Sequence, residues 1–282
     1  MFWKPERICK MEQKIKLQNL HTHTTWCDGK DTVEEMILAA CDKGFGSIGF
    51  SSHAFMKGCP IEMEKIERYQ SEITDMKTKY ADKIDVFCGM ECEMLGNMDL
   101  HGFDYLIGAM HYFKIEEDFY LFDVSDVEDV KKIIQRHFHG DGMAYAKAYY
   151  SELAKMSQYG EFDIIAHFDL ITKFHEKEQL FDTSSKEYQW AAIEAAERLA
   201  GKIPYFELNT GAMARGLRTT PYPDVFILQE LKRLGFGAVI SSDCHDSTQL
   251  SCGLQGAEAL LKECGFKEKF VLTKAGFTPV EL

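Results

Sequence analysis

The sequence predicts an α/β fold in which seven parallel strands close into a barrel. Seven short apolar runs alternate with longer amphipathic segments along the chain, which is the rhythm of repeated βα units. The 282 residues suffice for one large domain, and no Pro/Gly-rich linker or low-complexity segment divides them. We therefore expect an N-terminal extension at residues 1–14 and a single barrel domain at 15–282.

The seven apolar runs are the predicted strands. They lie at 15–21, 47–53, 85–93, 103–111, 162–168, 204–210 and 237–245. Between them are helix-like segments such as "DTVEEMILAACDKG", where Met36, Ile37 and Ala40 repeat at helical spacing and Gly44 supplies a stop. The segment "PDVFILQELKRLG" has the same form, because it starts with proline and ends at Gly235. Seven such units in succession favour a closed parallel barrel over an open sheet.

Charge and cysteine content narrow the class of protein. Asp and Glu total 45 against 32 Lys and Arg, and the net charge of −13 would repel a nucleic-acid backbone or an anionic membrane. A small substrate is the expected partner. None of the nine cysteines forms a C-x-x-C pair, and the first residues lack the apolar run of a signal peptide. No stretch approaches the ~20 apolar residues of a membrane span. We expect a cytoplasmic protein with free thiols, and the oligomeric state stays open.

Histidines and carboxylates recur at the predicted C-terminal ends of the strands. These residues are His21, His23, His53, Glu91, His111, His167, Asp243 and His245, with Asp28 in the loop after the first strand. In a parallel barrel, those ends meet on one face. A lone histidine at a strand end is most often a hydrogen-bonded boundary residue, but six of the ten histidines occupy this position beside carboxylates. The joint pattern predicts a divalent-metal site.

The four other histidines are predicted to lie outside this site. His137 and His139 also form an H-x-H pair, but they fall in a helical segment, where residues two apart point about 200° apart. We expect this pair on a solvated face. His101 and His175 are predicted loop residues, and His175 is near enough to the mouth to meet a substrate.

Six motifs resemble the successive metal motifs of the polymerase and histidinol phosphatase (PHP) superfamily. They are "HTHTTWCD", "SSHA", "GMECE", "AMHYF", "AHFDL" and "SDCHD", and the resemblance spans residues 19 to 255. It implies a distorted (β/α)7 barrel with the metal site at the C-terminal ends of the strands. It also implies two to three divalent metal ions, which could be Zn, Mn, Fe or Co.

The resemblance further implies a ligand set for each ion. The first set is His21, His23, Glu91 and Asp243, the second is Glu91, His111 and His167, and the third is Asp28, His53 and His245. Glu91 would bridge two ions, although Glu93 lies two residues on and should share its strand face.

As an activity, the resemblance implies hydrolysis of phosphomonoesters, most closely that of histidinol phosphate in histidine biosynthesis. Asp243, Glu91 and His245 would be the catalytic residues, with Asp243 or a nearby histidine protonating the leaving alkoxide. A PHP phosphoesterase acting on nucleotides or another small phosphorylated metabolite would share every metal ligand. A non-catalytic, metal-stabilised interaction domain is the remaining alternative.

The substrate pocket is expected among residues that follow the fifth and sixth strands. Arg215, Arg218 and Lys173 occupy positions where relatives with this activity carry phosphate-binding basic residues. Glu93 or Glu207 could receive the amine or imidazole of histidinol phosphate.

Overall fold

Parallel strands form the central sheet of the molecule. The computed structural model describes residues 17–54, 63–96, 100–115 and 118–282, so the predicted extension at 1–14 lies outside the described residues. The strands are β1 (Gln18–Asn19), β2 (Ser47–Phe50), β3 (His53–Ala54), β4 (Asp85–Glu93), β5 (Tyr105–Ala109), β6 (Tyr112–Ile115), β7 (Asp118–Leu121), β8 (Ile164–Ile165), β9 (Tyr205–Asn209), β10 (Gly237–Ser241), β11 (Glu268–Thr273) and β12 (Gly276–Glu281).

The order of the parallel strands closes the sheet into a barrel. The order is β1-β2-β4-β5-β8-β9-β10, and β3 pairs with β4 beyond the end of β2. Where β10 meets the segment after β1, Thr22 forms a parallel bridge with Cys244, and the amide of His23 donates to the carbonyl of Cys244 at 2.9 Å. The barrel is therefore nearly closed, and the predicted distorted α/β barrel of seven βα units is confirmed.

The second predicted strand, 47–53, is interrupted in the structure. β2 ends at Phe50, and the amide of Ser51 donates to the carbonyl of Thr22 at 3.0 Å. The chain resumes as β3, in which His53 pairs with Glu91 of β4. The interruption thus brings His53 into register with Glu91, the carboxylate that is predicted to bridge two ions.

Eight α-helices lie within the described part of the chain. They are α1 (Val33–Asp42), α2 (Met63–Lys79), α3 (Val127–Phe138), α4 (Gly142–Leu153), α5 (Lys186–Leu199), α6 (Gly211–Ala214), α7 (Val225–Arg233) and α8 (Leu254–Glu263). Thr32 and Glu35 form a capping box at the start of α1, which satisfies backbone amides that the helix itself cannot pair. Met36, Ile37 and Ala40 are buried on the predicted apolar face.

An apolar layer fills the barrel below the polar strand ends. Phe87 lies on the same face of β4 as Glu91, four residues before it, and packs in one cluster with Tyr105 of β5. Gly89 lies between Phe87 and Glu91, where a Cβ would sit 2.5 Å from a ring carbon of Tyr105. The hydroxyl of Tyr105 donates to the carbonyl of Leu20. This layer leaves the C-terminal face as the side from which a ligand can enter.

Two antiparallel hairpins, β6–β7 and β11–β12, lie outside the predicted elements. The second covers the base of the barrel. Gln18 at the start of β1 donates from Nε2 to the carbonyl of Leu272 and accepts from its amide at Oε1, each at 2.8 Å. Leu272 itself belongs to the apolar layer inside the barrel. The C-terminal hairpin therefore forms part of the core.

Candidate metal centre

Nine polar side chains meet at the C-terminal ends of the strands, and they are the nine residues predicted as metal ligands. Their nitrogen and oxygen atoms form three groups, each with its ligand atoms within 4.8 Å of one another. The groups are His23, Asp28, His53 and His245; His21, His23 and Asp243; and Glu91, His111 and His167. His23 belongs to two of them, whereas the expected sets used it once.

Glu91 lies at the centre of the three groups. Five histidine nitrogens are within 3.5 Å of its two carboxylate oxygens. From Oε2 the distances are 3.3 Å to His21, 3.5 Å to His23 and 2.8 Å to His53, and from Oε1 they are 3.4 Å to His111 and 3.1 Å to His167. Each oxygen faces a different set of imidazoles, which is the arrangement that a bridging carboxylate requires.

Glu93 points away from this centre and holds His111 from behind. Its Oε2 accepts from the backbone amide of His111 at 2.7 Å and lies 3.2 Å from Nδ1 of the same residue. The ring of His111 therefore presents Nε2 to Glu91. Of the two glutamates in β4, Glu91 is the one that faces the cluster.

Buried atoms without hydrogen bonds indicate what the cluster is built to hold. Nε2 of His21, Nε2 of His23 and Oε2 of Glu91 are buried and lack hydrogen-bond partners, although they lie within ion-pairing distance of one another. Leaving such an atom unpaired costs about 1–3 kcal/mol. Imidazole nitrogen and carboxylate oxygen are the donors that zinc and related divalent ions prefer. The residues present therefore fit divalent metal ions.

The electrostatics of the cluster agree with this fit. Burial alone would raise the pKa of Glu91, but His21, His53 and His111 hold it well below its usual value. Burial alone would lower the pKa of His111, but Glu91 and Glu93 raise it to about 10. The carboxylates likewise raise the pKa values of His21 and His53, whereas burial lowers that of His23. In the absence of ions, the ionised carboxylate of Glu91 therefore faces protonated imidazoles at His21, His53 and His111, and a metal cation would take the place of those protons.

Glu207 of β9 supports the cluster from the opposite side. Its Oε2 lies 2.8 Å from Nδ1 of His21, and its Oε1 accepts from the amide of His167 at 2.8 Å and from Nδ2 of Asn209 at 2.7 Å. The expectation that Glu93 or Glu207 receives the substrate's amine or imidazole is wrong, because both carboxylates are buried and bound to histidines of the cluster, His111 and His21 respectively. The signal for Glu207 is its alternation with Asn209 in an otherwise apolar strand, which directs both side chains into the barrel.

The group of His23, Asp28, His53 and His245 forms the rim of the centre, and we call it the rim group. Asp28 is 52% exposed, and its carboxylate lies 3.3 Å from Nε2 of His245 and 3.6 Å from Nε2 of His53. The next residue, Gly29, packs against the backbone, because a Cβ there would lie 2.5 Å from the carbonyl carbon and oxygen of His23. This close approach folds the loop back and holds Asp28 over the histidines.

Arg215 stands beside Asp243, a member of one of the three groups, and remains open to solvent. Its guanidinium lies 3.2 Å from Oδ2 of Asp243 and 3.3 Å from the carbonyl oxygen of Asp243, and its side chain is 34% exposed. It would need to exchange only these contacts to meet a phosphate at the mouth.

The two other predicted phosphate-binding residues are more strongly engaged. Arg218 is buried, donates to the hydroxyl of Thr172 and lies 4.6 Å from the ring centre of Tyr222. Lys173 pairs with Asp123 at 2.6 Å. A phosphate contact from either residue stays a prediction that requires these bonds to rearrange.

The remaining histidines lie outside the three groups. His137 is in the last turn of α3 and its ring is 4.1 Å from that of Tyr120. The expectation of a helical position for both members of the pair is wrong for His139, which ends the helix in the left-handed conformation with φ of 54°. His101 and His175 lie in loops, as predicted, and His175 is half-buried.

A PHP domain family model matches residues 19–211. A Schizosaccharomyces pombe protein named "Probable histidinol-phosphatase" is 24% identical over 283 residues, covering 90% of this chain and 89% of the relative. The histidinol-phosphatase of Bacillus subtilis is 23% identical over 270 residues, covering 86% of this chain and 98% of the relative. The match therefore extends over most of each chain.

A solved structure shares the fold. It is the crystal structure of histidinol phosphate phosphatase from Lactococcus lactis in complex with zinc, L-histidinol and phosphate. Its TM-score with this chain is 0.68 at 18% sequence identity, and the match covers 93% of this chain and 99% of that one. Within the described residues, no helix combines the length and apolar character needed to cross a membrane.

Proposed function

Because the chain belongs to the PHP domain family, we propose that it is a metal-dependent phosphomonoesterase that hydrolyses histidinol phosphate to histidinol and phosphate. The observation that carries the proposal is Glu91, a buried carboxylate with five histidine nitrogens within 3.5 Å. Perturbed ionisable groups gathered at a strand-end mouth are typical of catalytic sites. The relatives named as histidinol-phosphatases support the choice of substrate.

The three groups of ligand atoms would hold two to three divalent ions, for which Zn, Mn, Fe or Co are candidates. When bound, such ions activate a water molecule for attack and offset negative charge on the phosphate. Glu91 would hold the ions on its two sides together. A non-catalytic, metal-stabilised domain is disfavoured by the complete ligand set, since loss of catalysis would be expected to leave gaps in it.

Asp243 would act on the attacking water and not on the leaving group. Burial raises its pKa, but His21 and Arg215 hold it well below the usual value, so the carboxylate is ionised. An ionised carboxylate can accept the proton of the water but has none to donate to the leaving oxygen. Of the two donors considered above, a nearby histidine is therefore the better candidate. His245 would act through Nε2, and only when that nitrogen does not bind an ion, because its Nδ1 lies 3.1 Å from the carbonyl oxygen of Asp243.

Arg215 would bind the phosphate. A guanidinium beside Asp243 can make paired, charge-assisted hydrogen bonds to phosphate oxygens while the phosphorus is attacked. Arg218 and Lys173 are the further candidates for this contact. A cytoplasmic location is part of the same proposal, and the free thiols of the described cysteines are consistent with it.

Phosphate release from a panel of phosphomonoesters tests the proposal. We expect histidinol phosphate to exceed nucleoside monophosphates and sugar phosphates in kcat/KM by roughly 100-fold or more, since a buried polar pocket discriminates strongly. Activity should disappear with a chelator and return with added divalent ions. Preference for nucleoside monophosphates would assign the chain to the other phosphoesterase class, and activity in fully ion-free protein would refute metal dependence.

A further inference from the structure

An ion pair between Asp123 and Lys173 lies across two loops at the mouth of the barrel. Nζ of Lys173 is 2.6 Å from Oδ1 of Asp123 and donates to the carbonyl of Val124 at 2.9 Å. The side chain of Asp123 is 26% exposed and that of Lys173 is 14% exposed. The pair is therefore largely buried, while the aspartate stays accessible.

The backbone places this pair next to the ligands His111 and His167. Phe122, directly before Asp123, donates its amide to the carbonyl of His111 at 3.0 Å. On the other side, Leu170 donates its amide to the carbonyl of His167, and Lys173 donates to Leu170, each at 2.9 Å. The ion pair therefore links the two loops that follow the histidines of one ligand group.

Asp123 also acts on the groups that line this side of the mouth. Tyr222 is buried, its ring centre is 6.5 Å from that of His167, and its hydroxyl has no hydrogen-bond partner. Burial raises the pKa of Tyr222, and the nearby cation of Arg218 and carboxylate of Asp123 act on it in opposite directions. Burial alone would lower the pKa of Arg215, but Asp243 and, to a smaller extent, Asp123 raise it. The carboxylate thus lies within electrostatic reach of the proposed phosphate anchor.

Other carboxylates around the centre already have a role. Glu91, Asp28 and Asp243 belong to the ligand groups, whereas Glu93 and Glu207 hold ligand histidines from behind. Asp123 does neither among the described residues. Lys173 offsets the charge of Asp123 at Oδ1. The part of the carboxylate outside that ion pair would still attract a cationic group of a substrate and disfavour a substrate that carries only phosphate.

We propose that Asp123 binds the ammonium group of the substrate, so that the enzyme selects aminoalkyl phosphates over phosphomonoesters without an amine. This inference rests on the proposed function and names the chemical class that its site prefers. Oδ1 is held by Lys173, which makes Lys173 a positioning residue, and Oδ2 lies outside that ion pair and can accept from the ammonium. Phosphate and amine are then bound by opposite charges, at Arg215 and Asp123.

The test compares substrates that differ only in the amine. The first pair is histidinol phosphate and imidazolylpropyl phosphate, and the second is phosphoethanolamine and ethyl phosphate. For each pair, the ratio of kcat/KM values is measured in wild-type protein, in Asp123→Asn and in Asp129→Asn. Asp129 is the matched control because it pairs with Lys132 at 2.7 Å on the exposed surface of α3. A ratio measured on one preparation does not depend on how much of that protein is folded or loaded with ions.

We expect wild-type protein and Asp129→Asn to favour the amine-bearing member of each pair. In Asp123→Asn the preference should fall roughly 10- to 100-fold, the range for losing one hydrogen bond to a charged group. An unchanged ratio in Asp123→Asn, or a wild type without amine preference in either pair, overturns the inference. Amine preference for phosphoethanolamine without turnover of histidinol phosphate would overturn the proposed substrate and leave the inference standing.

Discussion

The carboxylate of Glu207 and the imidazole of His21 meet at 2.8 Å inside the barrel, and this contact sets the direction in which the ring faces. Because Nδ1 of His21 is bound to Glu207, its Nε2 is directed at Glu91, 3.3 Å away. Outer carboxylates of this kind fix the tautomer of a ligand histidine and increase its basicity.

Glu207→Gln should therefore lower metal affinity about 10- to 100-fold, the usual effect of losing such a support. Each carboxylate oxygen of Glu207 accepts a hydrogen bond, one from His21 and one from the backbone amide of His167. The NH2 group of glutamine cannot accept, so one of these two bonds would be lost. Metal affinity is measured by competition with a chromogenic chelator. Glu194→Gln, which removes an exposed carboxylate paired with Arg198, is the control, and equal affinities in the two variants would contradict the assigned role.

Gly29→Ala should weaken binding at the rim group selectively. A methyl group there would collide with the backbone of His23 and push Asp28 away from His53 and His245. We expect fewer ions per chain at limiting metal concentration, measured by elemental analysis after gel filtration. Gly256→Ala is the matched control because its added methyl group meets no atom within 4 Å. If both variants retain the wild-type ion content, the rim group does not contribute an ion site.

Arg215→Ala should lower kcat/KM about 100-fold or more through the lost contact to the transferring phosphate. Ion content at saturating metal should stay near that of the wild type, with affinity somewhat reduced because Asp243 loses its partner. Steady-state kinetics and metal analysis check both points. Arg233→Ala, which removes an exposed arginine paired with Glu230, should retain wild-type kinetics. Wild-type kcat/KM in Arg215→Ala would transfer the anchor role to Arg218 or Lys173.

Metal binding should release protons, and the raised pKa of His111 predicts how metal affinity changes with pH. In the ion-free protein this pKa is raised to about 10, so the imidazole is protonated at neutral pH, whereas an ion binds the neutral ring. Apparent metal affinity should therefore increase as the pH rises toward that value. Titration calorimetry in two buffers of different ionisation enthalpy should give different heats, corresponding to at least one proton released per chain. Equal heats in both buffers would show that His111 is already neutral.

Most of the barrel was predictable because its strands are apolar runs that end in histidine or carboxylate. β4 begins and ends at the predicted residues, 85–93, whereas β8 is only two residues long within its predicted range of 162–168. The interruption before His53 depends on a bond from Ser51 to Thr22, which no local pattern predicts. The hairpins were missed because β6, β7 and β12 include charged or exposed positions that do not read as buried strands.

Site residues were most predictable where an ionisable side chain ends an otherwise apolar strand. Histidines at repeated strand ends are conspicuous, and all nine predicted ligands meet in the three groups. Asp123 has no such signal, because an acidic residue in a loop is ordinary until the fold brings it against Lys173. The separate roles of Glu91 and Glu93 also depend on side-chain direction, which their shared strand face leaves open.

The contact between Gln18 and Leu272 constrains how the protein assembles during translation. The two residues are separated by 254 positions, and β11 is synthesised only after all seven strands of the barrel. His23 likewise needs Cys244, which follows β10, to complete its backbone bonding. The backbone bonding of His23 is therefore completed only after Cys244 has been synthesised, and the group that joins His21 and His23 to Asp243 stays incomplete in the nascent chain until then.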